Sequence, residues 1–183
     1  MQEDKFLSEL KEYGLKNDIP NISFTNARFL RDLVKIKNAK NILEIGTANG
    51  FSTINFAFEL KNLGNGTITT IEFSPNSHND ALNNFEKAGV LTLIKPFLGN
   101  ALDIIPTLNE KYDFVFIDGM KKRSKDFLQL VWDKIEDGGV IIIDDVIKFK
   151  EKMLSLYEYI EEKKISYNVI PIDEDDGVMM IIR

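Results

Sequence analysis

The chain contains no cysteine among its 183 residues. Disulfide bonds, zinc sites with thiolate ligands and cysteine nucleophiles are therefore all excluded. It also lacks any apolar run near the roughly 20 residues that a membrane-spanning helix needs, so we expect no membrane association. The N-terminal segment MQEDKFLSELKEYG mixes charges of both signs and does not resemble a secretory signal peptide. A cytoplasmic location is the resulting expectation.

Positive charge is in the minority. The 23 Lys and Arg residues face 29 Asp and Glu residues, which gives a formal net charge of −6. This balance argues against broad, nonspecific binding to nucleic acid, although it leaves room for a local basic patch. The length suits one domain with a sizeable core. We predict a single domain over residues 1–183, with N-terminal helices in 1–40 and an α/β core in 41–183.

Apolar runs of strand length alternate with amphipathic stretches along most of the chain. The predicted strands are Asn41–Gly46, Gly66–Glu72, Leu91–Leu98, Tyr112–Asp118 and Gly139–Asp144. The predicted helices lie near residues 51–63, 75–89, 101–109, 122–136 and 147–163. Runs such as FVFID and VIIID are apolar at consecutive positions, which is typical of parallel strands covered on both faces. The alternation predicts a doubly wound α/β fold with a mostly parallel sheet.

The C-terminus departs from this alternation. Two strand-like runs, Ile165–Ile172 and Val178–Arg183, are joined only by the segment DEDDG. Because so short a link cannot hold a crossover helix, the two runs should form an antiparallel hairpin. They bring the predicted sheet to seven strands, in a Rossmann-like arrangement. At the other end of the chain, Pro20 and the segment Asn17–Ser23 should separate two helices.

The segment EIGTANGFS follows the first predicted strand. The dinucleotide fingerprint G-x-G-x-x-G fails here, because Ala48 and Phe51 occupy the second and third glycine positions counted from Gly46. A phosphate-binding P-loop fails too, since no Gly-Lys-Ser/Thr follows. What remains is a strand-end carboxylate with two glycines and a serine: Glu44, Gly46, Gly50 and Ser52. A carboxylate would repel a pyrophosphate, but it suits a ligand with an ammonium and a sulfonium group, such as S-adenosylmethionine (SAM).

The next two strand ends supply candidates for binding a nucleoside. Glu72 ends the second strand, where a carboxylate can accept hydrogen bonds from ribose hydroxyls; the alternative is a solvated strand end. Phe73 either packs on an adenine or takes part in ordinary packing. Asn100 and the backbone near Ala101 can contact the adenine edge, and Asn100 can also cap the helix that starts at Ala101.

Six segments together carry a resemblance to a known family. They are NILEIGTANGFSTINFA, TTIEFSPN, GNALDIIPTL, YDFVFIDGMKK, GGVIIIDDV and DGVMMIIR. In this order and spacing the chain, from about Ile19 to the C-terminus, resembles the catechol O-methyltransferase-like family of SAM-dependent enzymes, including its bacterial members. The resemblance implies a class I methyltransferase fold and SAM contacts at Glu44, Gly46, Gly50, Ser52, Glu72, Asn100, Ala101 and Asp118. Asn100 stands where bacterial members commonly have Asp; since an amide oxygen also accepts from the adenine amino group, we expect cofactor binding to survive.

Three carboxylates end the fourth and fifth predicted strands: Asp118, Asp144 and Asp145. They should converge beyond the sheet edge, and clustered carboxylates repel unless a cation compensates them. Oxygen ligands without His or Cys favour Mg²⁺ or another hard divalent cation, so we predict a metal site at these residues. The resemblance implies the same ligand positions, with Asn as the usual residue at position 145. The alternative is that Asp145 caps the following helix.

Lys121 follows Asp118 by three residues. The family resemblance implies that a Lys at this spacing is the general base, which requires a lowered lysine pKa. By composition alone, Lys121 is one more solvated lysine in the run KKRSK.

The sequence thus predicts a SAM-dependent O-methyltransferase that acts on a hydroxyl acceptor, assisted by a divalent metal. Basic residues after the fourth and fifth strands either favour an anionic acceptor or are ordinary helix-surface charge. With little N-terminal helix, the acceptor pocket should be shallow. A small-molecule acceptor and a hydroxyuridine in tRNA are both candidates, and a homodimer is possible. The alternative from another class is a SAM-binding relative without catalysis.

Overall fold

Seven strands form one central sheet. The computed structural model describes residues 2–183. The strands are β1 (Asn41–Ile45), β2 (Thr67–Glu72), β3 (Ile94–Leu98), β4 (Tyr112–Ile117), β5 (Ile135–Ile143), β6 (Tyr167–Pro171) and β7 (Gly177–Ile182). Their spatial order is β3-β2-β1-β4-β5-β7-β6. Only β7 runs antiparallel to its neighbours, β5 and β6. The predicted fold class, including the C-terminal hairpin, is confirmed.

Helices cover both faces of this sheet. They are α1 (Gln2–Lys16), α2 (Phe24–Lys37), α3 (Phe51–Leu63), α4 (Pro75–Lys87), α5 (Ala101–Ile104), α6 (Ser124–Trp132) and α7 (Leu154–Lys163). Every residue of β4 is buried. Phe114 and Phe116 belong to the apolar cluster on one face, and Val115 and Ile117 to the cluster on the other. The consecutive apolar residues of β4 therefore follow from burial on both sides.

Some element boundaries differ from the prediction. The helix predicted over 122–136 ends at Trp132, and β5 begins already at Ile135, which pairs with Tyr112 across an irregularity in the ladder. A 3₁₀ turn at Ile105–Thr107 follows α5 at the position of Pro106, which has no N–H to continue a helix. Short 3₁₀ helices also occupy Leu91–Leu93, Lys121–Arg123 and Lys150–Met153.

The link between α1 and α2 is tied down by one side chain. Lys11 Nζ donates to the backbone oxygens of Asn21 at 2.6 Å and Ile22 at 2.8 Å. The Ser23 hydroxyl caps α2 by accepting from the Asn26 N–H. These contacts hold residues 18–22 above the carboxyl ends of the central strands, where they line a cavity.

The position of that cavity follows from the order of the strands in the sheet. From β1 the chain moves outward to β2 and β3, then returns to β4 on the other side of β1. The carboxyl ends of β1 and β4 therefore flank the crevice in which doubly wound sheets bind ligands. Across residues 2–183, no helix has the length and apolar character to cross a membrane.

Candidate active site

A cavity of about 930 Å³ lies beyond the carboxyl ends of the central strands. Most of the predicted site residues line it: Gly46, Glu72, Phe73, Asn100, Ala101, Asp118, Lys121, Asp144 and Asp145. Three others, Glu44, Gly50 and Ser52, are not among its lining residues. The link at residues 18–22 adds a wall that the sequence did not predict.

The carboxylate of Glu72 organises the turn after β1. Its Oε2 accepts from the backbone N–H groups of Thr47 at 3.1 Å and Ala48 at 2.8 Å. Its Oε1 accepts from Ser74 N–H at 2.8 Å. A carboxylate has about four acceptor positions, so about one position of Glu72 is left for another donor. The alternative of a merely solvated strand end does not describe this side chain.

The side chains after β2 and β3 occupy the adjoining part of the cavity wall. Asn100 is the N-cap of α5, and its Oδ1 accepts from Leu102 N–H at 3.1 Å. The predicted capping role is thereby confirmed. Phe73 is 73% exposed while lining the cavity, so ordinary core packing does not account for it. Ala101 is buried at the start of α5.

Glu44 lies inside the protein and faces hydroxyl groups. Its side chain is fully buried. Ser52 Oγ donates to Oε1 at 2.6 Å, Thr70 Oγ1 donates to Oε2 at 2.6 Å, and Thr53 also donates to Oε2. Burial raises the pKa of Glu44 to about 7, although the three hydroxyl donors act in the opposite direction. Glu44 therefore joins β1, β2 and the start of α3 from within.

Replacing Glu44 by glutamine should change how stability depends on pH. The folded pKa of about 7 lies above the ordinary value of 4.5, so the native state binds a proton that the unfolded chain has released in this range. The contribution of Glu44 to stability is thus fully present below pH 4.5 and falls by about 3 kcal/mol as the pH rises through 7. Urea unfolding from pH 4 to 8 should show the wild type losing stability relative to Glu44→Gln. Exposed Glu86→Gln is the control, and a flat Glu44 difference would contradict the prediction.

The two glycines of the EIGTANGFS segment are required by neighbours within the protein. Gly46 has φ +100°, and a Cβ there would lie 2.5 Å from the backbone oxygen of Asp118. Gly50 has φ +87°, and a Cβ there would lie 2.6 Å from the ring of Phe85. The family resemblance implies SAM contacts at both glycines, and those contacts stay a prediction. The structure gives Gly46 a further function, because its lack of a Cβ lets the ends of β1 and β4 approach closely at the cavity floor.

Gly46→Ala should destabilise the fold by about 3 kcal/mol, since it adds a backbone clash to an unfavourable φ. Gly64→Ala is the matched control. Gly64 also has a positive φ of +83°, but a Cβ there would meet no atom within 4 Å. Chemical denaturation should give a clearly larger loss for Gly46→Ala; equal losses would mean that the contact with Asp118 is unimportant.

Lys121 lies between two of the predicted site carboxylates. Its Nζ is 2.6 Å from Asp118 Oδ1 and 2.6 Å from Asp145 Oδ2. Burial lowers the pKa of Lys121, but the two carboxylates outweigh burial, and the net pKa lies above its usual range. This direction is opposite to the lowered pKa that the sequence interpretation required. Asp145 adopts a left-handed backbone conformation with φ +63°, and its carboxylate pairs with Lys121.

Two polar contacts at this site were not predicted. Asn26 of α2 is buried and donates from Nδ2 to Asp144 Oδ1 at 3.0 Å. Asp176, which lies in the DEDDG link of the C-terminal hairpin, accepts at Oδ1 from the N–H groups of Ile147 and Lys148, both at 3.2 Å. Asp176 thus fixes the loop that follows β5. Sequence spacing gives no signal for either contact, because both join segments far apart in the chain.

Comparison with known proteins decides the family. The family described as O-methyltransferase matches residues 1–177. The chain belongs to the O-methyltransferase family. A catechol O-methyltransferase of Niastella koreensis is 34% identical over 132 residues, which cover 70% of this chain and 59% of the relative. A catechol O-methyltransferase of Mycobacterium tuberculosis is 36% identical over 129 residues, which cover 69% of this chain and 57% of the relative. The chain therefore spans less than two thirds of these curated relatives.

The solved structure of one O-methyltransferase shares the fold over nearly the whole chain. The O-methyltransferase from Bacillus cereus in complex with SAH has a TM-score of 0.85 and 27% sequence identity. The match covers 98% of this chain and 91% of that protein. This chain thus shares its Rossmann-like architecture with that O-methyltransferase.

In this O-methyltransferase family member, the three carboxylates that were predicted as metal ligands are not arranged to bind a divalent cation. Among residues 2–183, no three acidic or histidine side chains form a group that could hold a metal ion. The ammonium of Lys121 already lies within 2.6 Å of carboxylate oxygens of both Asp118 and Asp145. The third predicted ligand, Asp144, is hydrogen-bonded to Asn26. One oxygen of each of these carboxylates already meets a lysine or amide donor, and the metal site predicted at Asp118, Asp144 and Asp145 stays a prediction.

Proposed function

We propose that the protein is a SAM-dependent O-methyltransferase that acts on a small-molecule hydroxyl acceptor. The observation that carries the proposal is the convergence, in one cavity, of the Glu72 carboxylate, the exposed Phe73 ring and the Lys121 ion-pair group. Membership of the O-methyltransferase family supports the reaction type. The names of the catechol O-methyltransferase relatives support a hydroxyl acceptor, and the SAH complex of the Bacillus cereus protein supports the cofactor.

The residues of the cavity fit SAM. The remaining acceptor position of Glu72 suits a ribose hydroxyl, and the Phe73 ring offers a face for an adenine. Asn100 and Ala101 would lie at the adenine edge, and Asp118 supplies negative charge for a cationic ligand. Gly46, Gly50, Ser52 and Glu44 would support the site by holding the turn after β1. When bound, SAM supplies a methyl group on a positively charged sulfur.

Lys121 is the proposed catalytic residue. Its ammonium would donate to the acceptor oxygen and orient it toward the methyl group; much of the rate would come from this alignment. Because the Lys121 ammonium already carries its full set of protons, the acceptor's proton would pass to a carboxylate oxygen of Asp118 or Asp145. Such closely coupled groups titrate as one unit.

The proposal contains no step through a divalent cation, because Lys121 provides the positive charge between Asp118 and Asp145. We expect turnover to persist in EDTA. No observation on the described residues favours the tRNA alternative or a homodimer. A cytoplasmic location stays a prediction.

The test combines binding and turnover. SAM is titrated by calorimetry, and methyl transfer from labelled SAM to catechol is measured with EDTA and with Mg²⁺. Binding and transfer under both conditions support the proposal. SAM binding without transfer to catechol or other small hydroxyl acceptors would favour a noncatalytic SAM-binding protein. Transfer that requires Mg²⁺ would show that the carboxylates release Lys121 to take up an ion.

A further inference from the structure

Two short 3₁₀ helices, Lys121–Arg123 and Lys150–Met153, pack against each other beside the cavity. They concentrate positive charge in an otherwise acidic protein: Lys121, Lys122, Arg123, Lys150 and Lys152. Of these five side chains, three line the cavity: Lys121, Arg123 and Lys152. These three side chains differ in whether a carboxylate of the protein already pairs with their positive charge.

Two of the three cavity cations are neutralised within the protein. Lys121 is paired with Asp118 and Asp145. Arg123 Nε lies 2.7 Å from Asp126 Oδ2. Their charge is therefore largely balanced before any ligand arrives.

Lys152 is the third cation, and its charge is not balanced. It is exposed, and within residues 2–183 it forms no ion pair with a carboxylate. Its Nζ lies 4.6 Å from the centre of the Phe149 ring, which also lines the cavity. Phe149 is partly buried, whereas the Lys152 side chain is exposed. A cation over an aromatic face near the surface is held weakly, so the ammonium keeps donors for an anion. Lys152 and Phe149 thus offer a positive charge and an apolar face side by side.

We propose that Lys152 and Phe149 form an acceptor subsite that selects a hydroxylated aromatic ring bearing a carboxylate. This inference rests on the proposed function and names its substrate class. The carboxylate would pair with Lys152, the ring would lie near Phe149, and the hydroxyl would reach Lys121. A single negative charge suits the site, because one uncompensated cation stands over a cavity with the carboxylates of Asp118, Asp144 and Asp145, which repel a polyanion.

The test compares two lysines of the same short helix. Lys150 is two residues from Lys152, and its Nζ lies 5.3 Å from the Tyr157 ring centre, but it does not line the cavity. Lys152→Ala and Lys150→Ala remove the same charge from the same element. Methylation of 3,4-dihydroxybenzoate and of neutral catechol is measured for both variants. We expect Lys152→Ala to raise KM for the carboxylate by about tenfold, with KM for catechol changed less than about twofold; Lys150→Ala should leave both nearly unchanged.

Equal changes for the two acceptors, or equal effects of the two variants, would overturn the subsite. A binding measurement separates its failure from failure of the proposed function. If the wild type methylates neither these two acceptors nor other small hydroxyl acceptors, the proposed function fails. In that case 3,4-dihydroxybenzoate is titrated into wild-type protein and each variant with SAH present. Binding that Lys152→Ala alone weakens by about tenfold supports the subsite even then; no binding, or binding unaffected by that variant, overturns it.

Discussion

Glu72→Ala should weaken SAM binding by about 100-fold. The change removes a charged acceptor for the ribose and releases the N–H groups of Thr47, Ala48 and Ser74, which Glu72 holds. Losing one charge-assisted hydrogen bond and loosening this turn should together cost about 3 kcal/mol of binding free energy. Calorimetric titration of SAM gives the dissociation constant directly.

The controls for Glu72 separate loss of contact from loss of fold. Glu86→Ala removes the same charge from an exposed position of α4 and should leave SAM affinity within about twofold. Glu72→Gln keeps one carbonyl oxygen, and its affinity should lie between those of the wild type and the alanine variant. Melting temperatures show whether the turn has collapsed. A Glu72→Ala protein that binds SAM like the wild type would exclude Glu72 from the cofactor site.

Lys121→Met should reduce turnover by at least about 100-fold, with SAM affinity changed only a few-fold. The side chain keeps its length but loses the ammonium, so the acceptor oxygen loses its donor. In addition, Asp118 and Asp145 are left as neighbouring, uncompensated carboxylates. Single-turnover rates with saturating SAM, measured well below the melting temperature of the variant, isolate the methyl-transfer step.

The matched control for Lys121 is the next residue. Lys122 is exposed and does not line the cavity, so Lys122→Met should turn over like the wild type. Lys121→Arg, which keeps the positive charge, should retain more activity than Lys121→Met. Equal single-turnover rates for wild type and Lys121→Met would remove Lys121 from the reaction.

The sheet could be predicted from the sequence because its strands and the C-terminal hairpin have signals within short segments. Runs such as FVFID are apolar at consecutive positions, and the DEDDG link is too short for a crossover. The boundary between α6 and β5 could not be predicted in this way. The segment 133–138 has no strong periodicity, and Ile135 is extended because it pairs with Tyr112, more than twenty residues earlier.

The candidate site, too, was predictable from the sequence only in part. The sequence by itself determined which residues end the central strands, and hence that Glu72, Asp118 and Asp144 would come to one edge, because parallel strands present their carboxyl ends together. Only the tertiary structure decided which partner each charged side chain contacts at that edge. Glu44 turns inward to three hydroxyl groups, and Lys121 lies between two of the carboxylates that were predicted to bind a metal ion. Lys152, within residues 2–183, forms no ion pair with a carboxylate and lies over the Phe149 ring. Charge pairing depends on distances of a few ångströms between residues that are remote along the chain, and no local pattern encodes those distances.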